Sequence, residues 1–213
     1  MTIKDIETFY QDNREYYNKL KTSISSNIEG RIPHHKVVVL NVLVNLTNIS
    51  KYLEVGVHNG ASMSYVVNQN LCKIDCFGLD LFQSAKLMKN CDSLKYIIDD
   101  ISKEKSYRNI QNNNSSKSHI TLIECNSQDP RIAESLRSLE SDLLFIDGDH
   151  SYTGIKNDFN NYAPTVKSGG FVIFDDYEPK YKEIMTFCNK EINEKEFRKI
   201  GVFMNNELIL QKI

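Results

Sequence analysis

Short apolar runs alternate with amphipathic stretches along most of the chain. Lys51–Val55, Ile74–Leu79, Ile120–Glu124, Leu143–Ile146 and Phe171–Phe174 are each four to six residues long and rich in β-branched or aromatic side chains, which predicts strands. Between them Ser62–Asn70, Pro130–Leu139 and Thr153–Tyr162 predict helices. Strands separated by helices form βαβ units, so the expected fold is α/β, a mostly parallel sheet with helices on both faces. The C-terminal pattern differs. Phe197–Met204 and Glu207–Gln211 flank Asn205-Asn206 with no room for a helix, and asparagine tolerates positive φ, so an antiparallel hairpin is expected there. Residues 1–48 read as a helical extension, serving as lid or dimer contact, with the apolar stretch Val37–Leu46 opening after Pro33. Residues 84–117, from SAKLMKN to the polar QNNNSSKS, read as a helical or loop insertion in a single domain spanning 49–213.

A chain of 213 residues can bury one good core. Its formal net charge of −2 supplies no basic field for nucleic acid or for an anionic membrane. No apolar run approaches the roughly 20 residues of a membrane span. The N-terminal MTIKDIETFY is amphipathic and acidic, unlike a secretory signal. The five cysteines, Cys72, Cys76, Cys91, Cys125 and Cys188, fit no metal or redox motif, since Cys72 and Cys76 are one residue too far apart for CxxC. Idle thiols point to a reducing, cytoplasmic setting.

Candidate chemistry begins at YLEVGVHNGASM, residues 52–63. Gly56 and Gly60 allow a tight turn and a close ligand approach, and Ser62 opens the following helix, whose free N–H groups suit an anion. Asp80 ends the next strand, where an acid can accept hydrogen bonds from both hydroxyls of a ribose. The pattern therefore predicts a nucleoside cofactor. A dinucleotide is disfavoured because His58 stands where GxGxxG needs its second glycine, and there is no GxxxxGK[ST].

Asp147 ends the fourth strand, and Asp175-Asp176 end the fifth after the turn Lys167-Ser168-Gly169-Gly170. In a parallel sheet these ends share one edge, where three carboxylates repel unless a cation neutralises them. Oxygen ligands alone suit a hard metal such as Mg²⁺. The alternative is that these acids cap helices or face water, and Asp149 reads as a cap or a cofactor contact. His150, in the same loop as Asp147, is a candidate base. His58 could touch ligand, His34-His35 read as a helix start, and Tyr152 and Tyr177 could line a substrate pocket.

Together these residues resemble the class I S-adenosylmethionine-dependent methyltransferases over roughly residues 50–213. Within that class they look like the metal-dependent O-methyltransferases of the catechol and caffeoyl-CoA type. They are most similar to the smaller relatives that methylate sugars on glycans and antibiotics. The resemblance implies a Rossmann-like, seven-stranded sheet. It places Glu54, Gly56, Gly60 and Ser62 of LEVGVHNGAS around the amine and carboxylate of the cofactor, Asp80 on its ribose, and Ser127 and Gln128 of ECNSQD beside its adenine. It makes Asp147, Asp175 and Asp176 the ligands of Mg²⁺ or another divalent cation, with Asp147 also touching cofactor and serving catalysis, and His150 the base. Catechol-type members end the fifth strand in Asp-Asn, whereas this chain has Asp-Asp. The implied reaction is methylation of a hydroxyl on a sugar, glycan or other small molecule, with no nucleic acid or membrane partner and a second copy of the chain as a candidate partner. The alternatives are a metal-independent methyltransferase and a non-catalytic, cofactor-binding partner of a glycan-modifying enzyme.

Overall fold

The five expected parallel strands are β1 (Lys51–Val55), β2 (Asp75–Asp80), β3 (His119–Glu124), β4 (Ser141–Ile146) and β5 (Val166–Phe174) in the computed structural model, which describes residues 1–29, 37–82 and 101–213. The hairpin is β6 (Phe197–Phe203) and β7 (Glu207–Lys212). Its turn passes Met204 and Asn205 through positive φ (48° and 57°), one residue earlier than the Asn205-Asn206 pair expected. One sheet results, in the order β3-β2-β1-β4-β5-β7-β6. β1 to β5 pair in parallel, and β7 enters antiparallel between β5 and β6. All six residues of β4 are buried, because a parallel strand covered on both faces has no polar side.

Eight α-helices are found among the described residues: α1 (Ile3–Asp12), α2 (Arg14–Asn27), α3 (Val38–Leu46), α4 (Ala61–Val67), α5 (Lys103–Asn112), α6 (Pro130–Ser135), α7 (Tyr152–Tyr162) and α8 (Lys182–Lys190). The alternation of β1 divides the core. Tyr52 faces a cluster holding Ile6, Leu20, Ile24, Leu43, Met63 and Ile110, from α1 to α5. Leu53 and Val55 face a second cluster with Ala133, Ile155, Phe159, Ile184 and Phe187, from α6 to α8. The N-terminal helices are thus continuous with one half of the core. No described helix is long and apolar enough to cross a membrane.

Two expectations need correction. Lys167–Gly170 is not a turn ahead of a short strand but an irregularity inside β5, exposed at Lys167, Ser168 and Gly169, where the pairing with β4 shifts register and Gly169 takes φ 81°. The insertion read as helix or loop contains α5, capped by Ser102, whose Oγ accepts from Lys105 N (3.2 Å). Its buried face is Ser106, Asn109 and Ile110, so no apolar stripe announces it. The rest of that segment, residues 84–100 with Cys91, lies outside the described residues, as do Pro33, His34 and His35. Helix α6 stops at Ser135, short of Leu139.

The strand order sets the position of the site. The chain runs outward from β1 to β2 and β3, then returns to place β4 on the other side of β1. The loops following β1 and β4 therefore lie side by side at the carboxyl edge and open a crevice there, where ligands bind in sheets of this kind.

Candidate active site

The turn after β1 passes through the left-handed region at Gly56 (φ 92°), His58 (φ 50°) and Gly60 (φ 81°). Both glycines serve the tight turn expected of them, and each also makes room for neighbouring protein. A Cβ on Gly56 would lie 2.0 Å from the Asp147 carbonyl oxygen, and one on Gly60 would lie 2.6 Å from the Ile110 side chain in α5. Helix α5 also takes the turn's carbonyls: Ser106 Oγ donates to His58 O (2.5 Å) and Asn109 Nδ2 to Asn59 O (2.9 Å).

Glu54, which the resemblance places beside the cofactor's amine, is fully enclosed at the end of β1. It accepts hydrogen bonds from Tyr52 Oη (2.9 Å) and from Ser62 Oγ, so it fixes the start of α4 from beneath. Burial pushes its carboxyl up to about 8, against the pull of those two donors. Asp80 is placed as expected, at the end of β2 beside the turn. Its Oδ2 accepts from His58 N and its Oδ1 from Phe82 N, each at 2.7 Å. Each oxygen keeps a second lone pair, so the group still suits a pair of ribose hydroxyls.

Ser127 and Gln128 sit in the loop after β3, clamped by α7. Ser127 Oγ donates to Asp158 Oδ1 (2.7 Å), while Ser127 O accepts from Tyr162 Oη (2.7 Å) and Asn161 Nδ2 (3.2 Å). Gln128 Nε2 donates to Asp149 Oδ2 (3.3 Å). Asp149 also accepts from the Ser151 backbone N–H (2.9 Å) and hydroxyl (3.0 Å), bracing the residue that caps α7.

The acids at the ends of β4 and β5 come together around His150. Its Nε2 stands 3.4 Å from Asp147 Oδ1 and its Nδ1 3.7 Å from Asp176 Oδ2. Burial pulls the imidazole's pKa down, but Asp147, Asp176 and Asp149 outweigh it, and the net direction is above the ordinary value. Asp175 is held well above the carboxylate range by burial and then by Asp147, Asp176 and Glu207. Asp176 is raised by burial and Asp147, opposed by His150, and its backbone adopts φ 54°. This mutual repulsion among oxygen donors has the chemistry that a hard divalent cation relieves. Among the described residues no three His, Cys, Asp or Glu side chains are already gathered as a metal-holding group.

Residues 53–177 match the family described as Methyltransferase domain, well over half of the chain. The chain belongs to that family. This methyltransferase is also 31% identical over 212 residues to the uncharacterized protein R132 of Acanthamoeba polyphaga mimivirus, with 89% of this chain and 85% of that protein covered. Its fold is similar to that of a candidate caffeoyl-CoA O-methyltransferase from Staphylococcus aureus (TM-score 0.62, 13% identity, 98% of each chain covered). It is similar also to an O-methyltransferase from Bacillus cereus in complex with SAH, S-adenosylhomocysteine (TM-score 0.54, 14% identity, 98% of this chain and 99% of that one).

Two side chains of the candidate site escape the sequence reading. Asn206, in the β6–β7 turn, donates through Nδ2 to Asp175 Oδ1 (2.8 Å), and its carbonyl accepts from Tyr177 N (2.7 Å). It had been read only as a turn former. Asp158 lies on the same buried face of α7 as Ile155, Phe159 and Tyr162, and an acid within an apolar stripe is the signal that could have found it. Of the two tyrosines expected to line a pocket, Tyr152 bonds Glu191 Oε1 (2.8 Å) and Tyr177 bonds Asn189 Oδ1 (2.8 Å). The ring at His150 belongs instead to Tyr181, edge-on at 5.0 Å.

Proposed function

We propose that this methyltransferase uses S-adenosylmethionine to methylate a hydroxyl oxygen of a small acceptor, with a sugar or glycan as the first class to test, and that it depends on Mg²⁺. The observation that carries the reading is the position of His150 between Asp147 and Asp176, across one loop from the turn that Asp80 braces. The O-methyltransferases of like fold, one of them bound to SAH, support the choice of cofactor and of oxygen as acceptor.

S-adenosylmethionine, when bound, supplies a methyl group activated by its sulfonium, and Mg²⁺ supplies Lewis-acid polarisation of the acceptor hydroxyl. Asp147, Asp175 and Asp176 would hold the cation. Asp80 binds the ribose through the lone pairs that the turn leaves free, and the Ser127–Gln128 loop lies beside the adenine. Asp147, Asp176 and His150 orient the acceptor, which lowers the entropy cost of an in-line approach. His150 receives the hydroxyl proton at Nδ1, the ring nitrogen with the longer carboxylate contact, as the new O–C bond forms. The nearby acids make the imidazole a stronger proton acceptor.

A metal-independent reaction is the second reading, favoured by the imidazole already bridging two of the acids. Methyl transfer from labelled S-adenosylmethionine to sugars, nucleotide sugars and catechols, assayed in Mg²⁺ and in EDTA, separates the two. The proposal expects SAH binding, EDTA-sensitive transfer, and an Asp175→Ala/Asp176→Ala double variant that binds SAH without transfer. Full activity in EDTA or in that variant removes the cation from the reaction, and failure to bind SAH removes the cofactor.

A further inference from the structure

Asp158 is fully buried in the middle of α7, where an ionisable acid contributes little to packing. Burial and the neighbouring Asp149 charge raise it to about 7, while the Ser127 hydroxyl and the Asp149 backbone amide pull the other way. The cost of such a group calls for a role that an apolar residue could not fill.

Its contacts supply one. Oδ1 accepts from Ser127 Oγ at 2.7 Å, in the loop after β3. Oδ2 lies beneath Gly148, 2.7 Å from where a Cβ would stand, in the loop after β4. Among the described residues Oδ2 has no hydrogen-bond partner of good geometry, so the carboxylate bonds the first loop and packs against the second, and the two loops follow different strands. Gly148 explains itself in the same terms: FIDGDH needs glycine at that position because Asp158 occupies the space of its side chain. The surrounding hydrogen bonds run in the same direction, since Gln128 of the first loop bonds Asp149 of the second (3.3 Å), and Asn157 Nδ2 donates to Gln128 Oε1 (3.2 Å).

We infer that Asp158 is a positioning residue that locks the Ser127–Gln128 loop to the Asp147–His150 loop, so that the groups beside the adenosine and the groups at the reacting oxygen keep a fixed spacing. The inference rests on the cofactor reading above, since it assigns the first loop to the adenosine. It predicts that disturbing one loop loosens the other, which a residue serving only the stability of α7 would not do.

The test combines hydrogen exchange of the unliganded protein with SAH calorimetry. Asp158→Ala should speed exchange in residues 126–129 and 147–151 together and weaken SAH about tenfold or more, the loss of one buried hydrogen bond. Asp158→Asn, which keeps an acceptor for Ser127, should recover most of that affinity. Ser127→Ala cuts the link from the other end and should speed exchange in 147–151, which it does not touch; it also serves if Asp158→Ala fails to fold. Gly148→Ala should weaken SAH in the native background and lose most of that effect in Asp158→Ala, where only the 3.3 Å approach to Val55 Cγ1 remains. Unchanged exchange in 147–151 on Ser127→Ala, or an equal effect of Gly148→Ala in both backgrounds, overturns the inference. A native protein that ignores SAH overturns the cofactor reading instead, and the exchange data then decide on the link between the loops alone.

Discussion

Gly56 and the carbonyl of Asp147 are so close that a methyl group at residue 56 would stand 2.0 Å from that oxygen, with φ 92° excluding most side chains as well. Gly56→Ala should cost about 2–5 kcal/mol, the combined scale of overpacking and of a left-handed alanine. Gly169→Ala is the control: φ is 81° but nothing lies within 4 Å, so only the backbone cost of about 1–2 kcal/mol applies. Urea midpoints of the two variants measure the difference, and equal losses would show that the approach of the two loops carries no stability.

Asp80 joins the turn after β1 to the residues after β2 through two 2.7 Å hydrogen bonds from backbone amides. Asp80→Ala leaves both donors without their partner and removes the proposed ribose acceptor. SAH affinity should fall by more than about tenfold, with Asp80→Asn in between because it keeps one carbonyl oxygen. Native affinity in the alanine variant would restrict Asp80 to holding the turn.

Glu54 gives a pH dependence with a definite sign. Its carboxyl is raised in the fold from an ordinary 4.5 to about 8, so the folded state holds a proton that the unfolded chain has released. The stability this confers is complete below about pH 4 and is lost as pH rises through about 8. Glu54→Gln, which cannot ionise, should match the native protein at about pH 4 and exceed it above pH 8. Urea unfolding across that range checks it; parallel curves for the two proteins would mean that Glu54 does not change protonation on folding.

Much of this architecture was legible because its signals are local. β1 was delimited residue for residue, and the Asn205-Asn206 turn identified the hairpin, since strand periodicity and turn chemistry reside in consecutive side chains. The bounds of α5 were not legible because Ser106 and Asn109 are buried for hydrogen bonds to the turn, and buried polar residues resemble a loop. The same limit applied at the site. The types and approximate places of Asp80, Asp147, His150, Asp175 and Asp176 could be read from strand ends, but not that Glu54 faces inward, that Gly60 accommodates Ile110, or that Asn206 returns from a distant hairpin to Asp175. Those facts depend on which elements become neighbours across the sheet.

The left-handed backbone of Asp176 has an evolutionary consequence. Glycine would occupy that conformation with less strain, gaining on the order of 1 kcal/mol. A laboratory screen that rewarded heat tolerance alone would drift toward glycine at 176 and erase a carboxylate beside the imidazole. A lineage under pressure to keep turning over its acceptor has reason to retain the less comfortable residue.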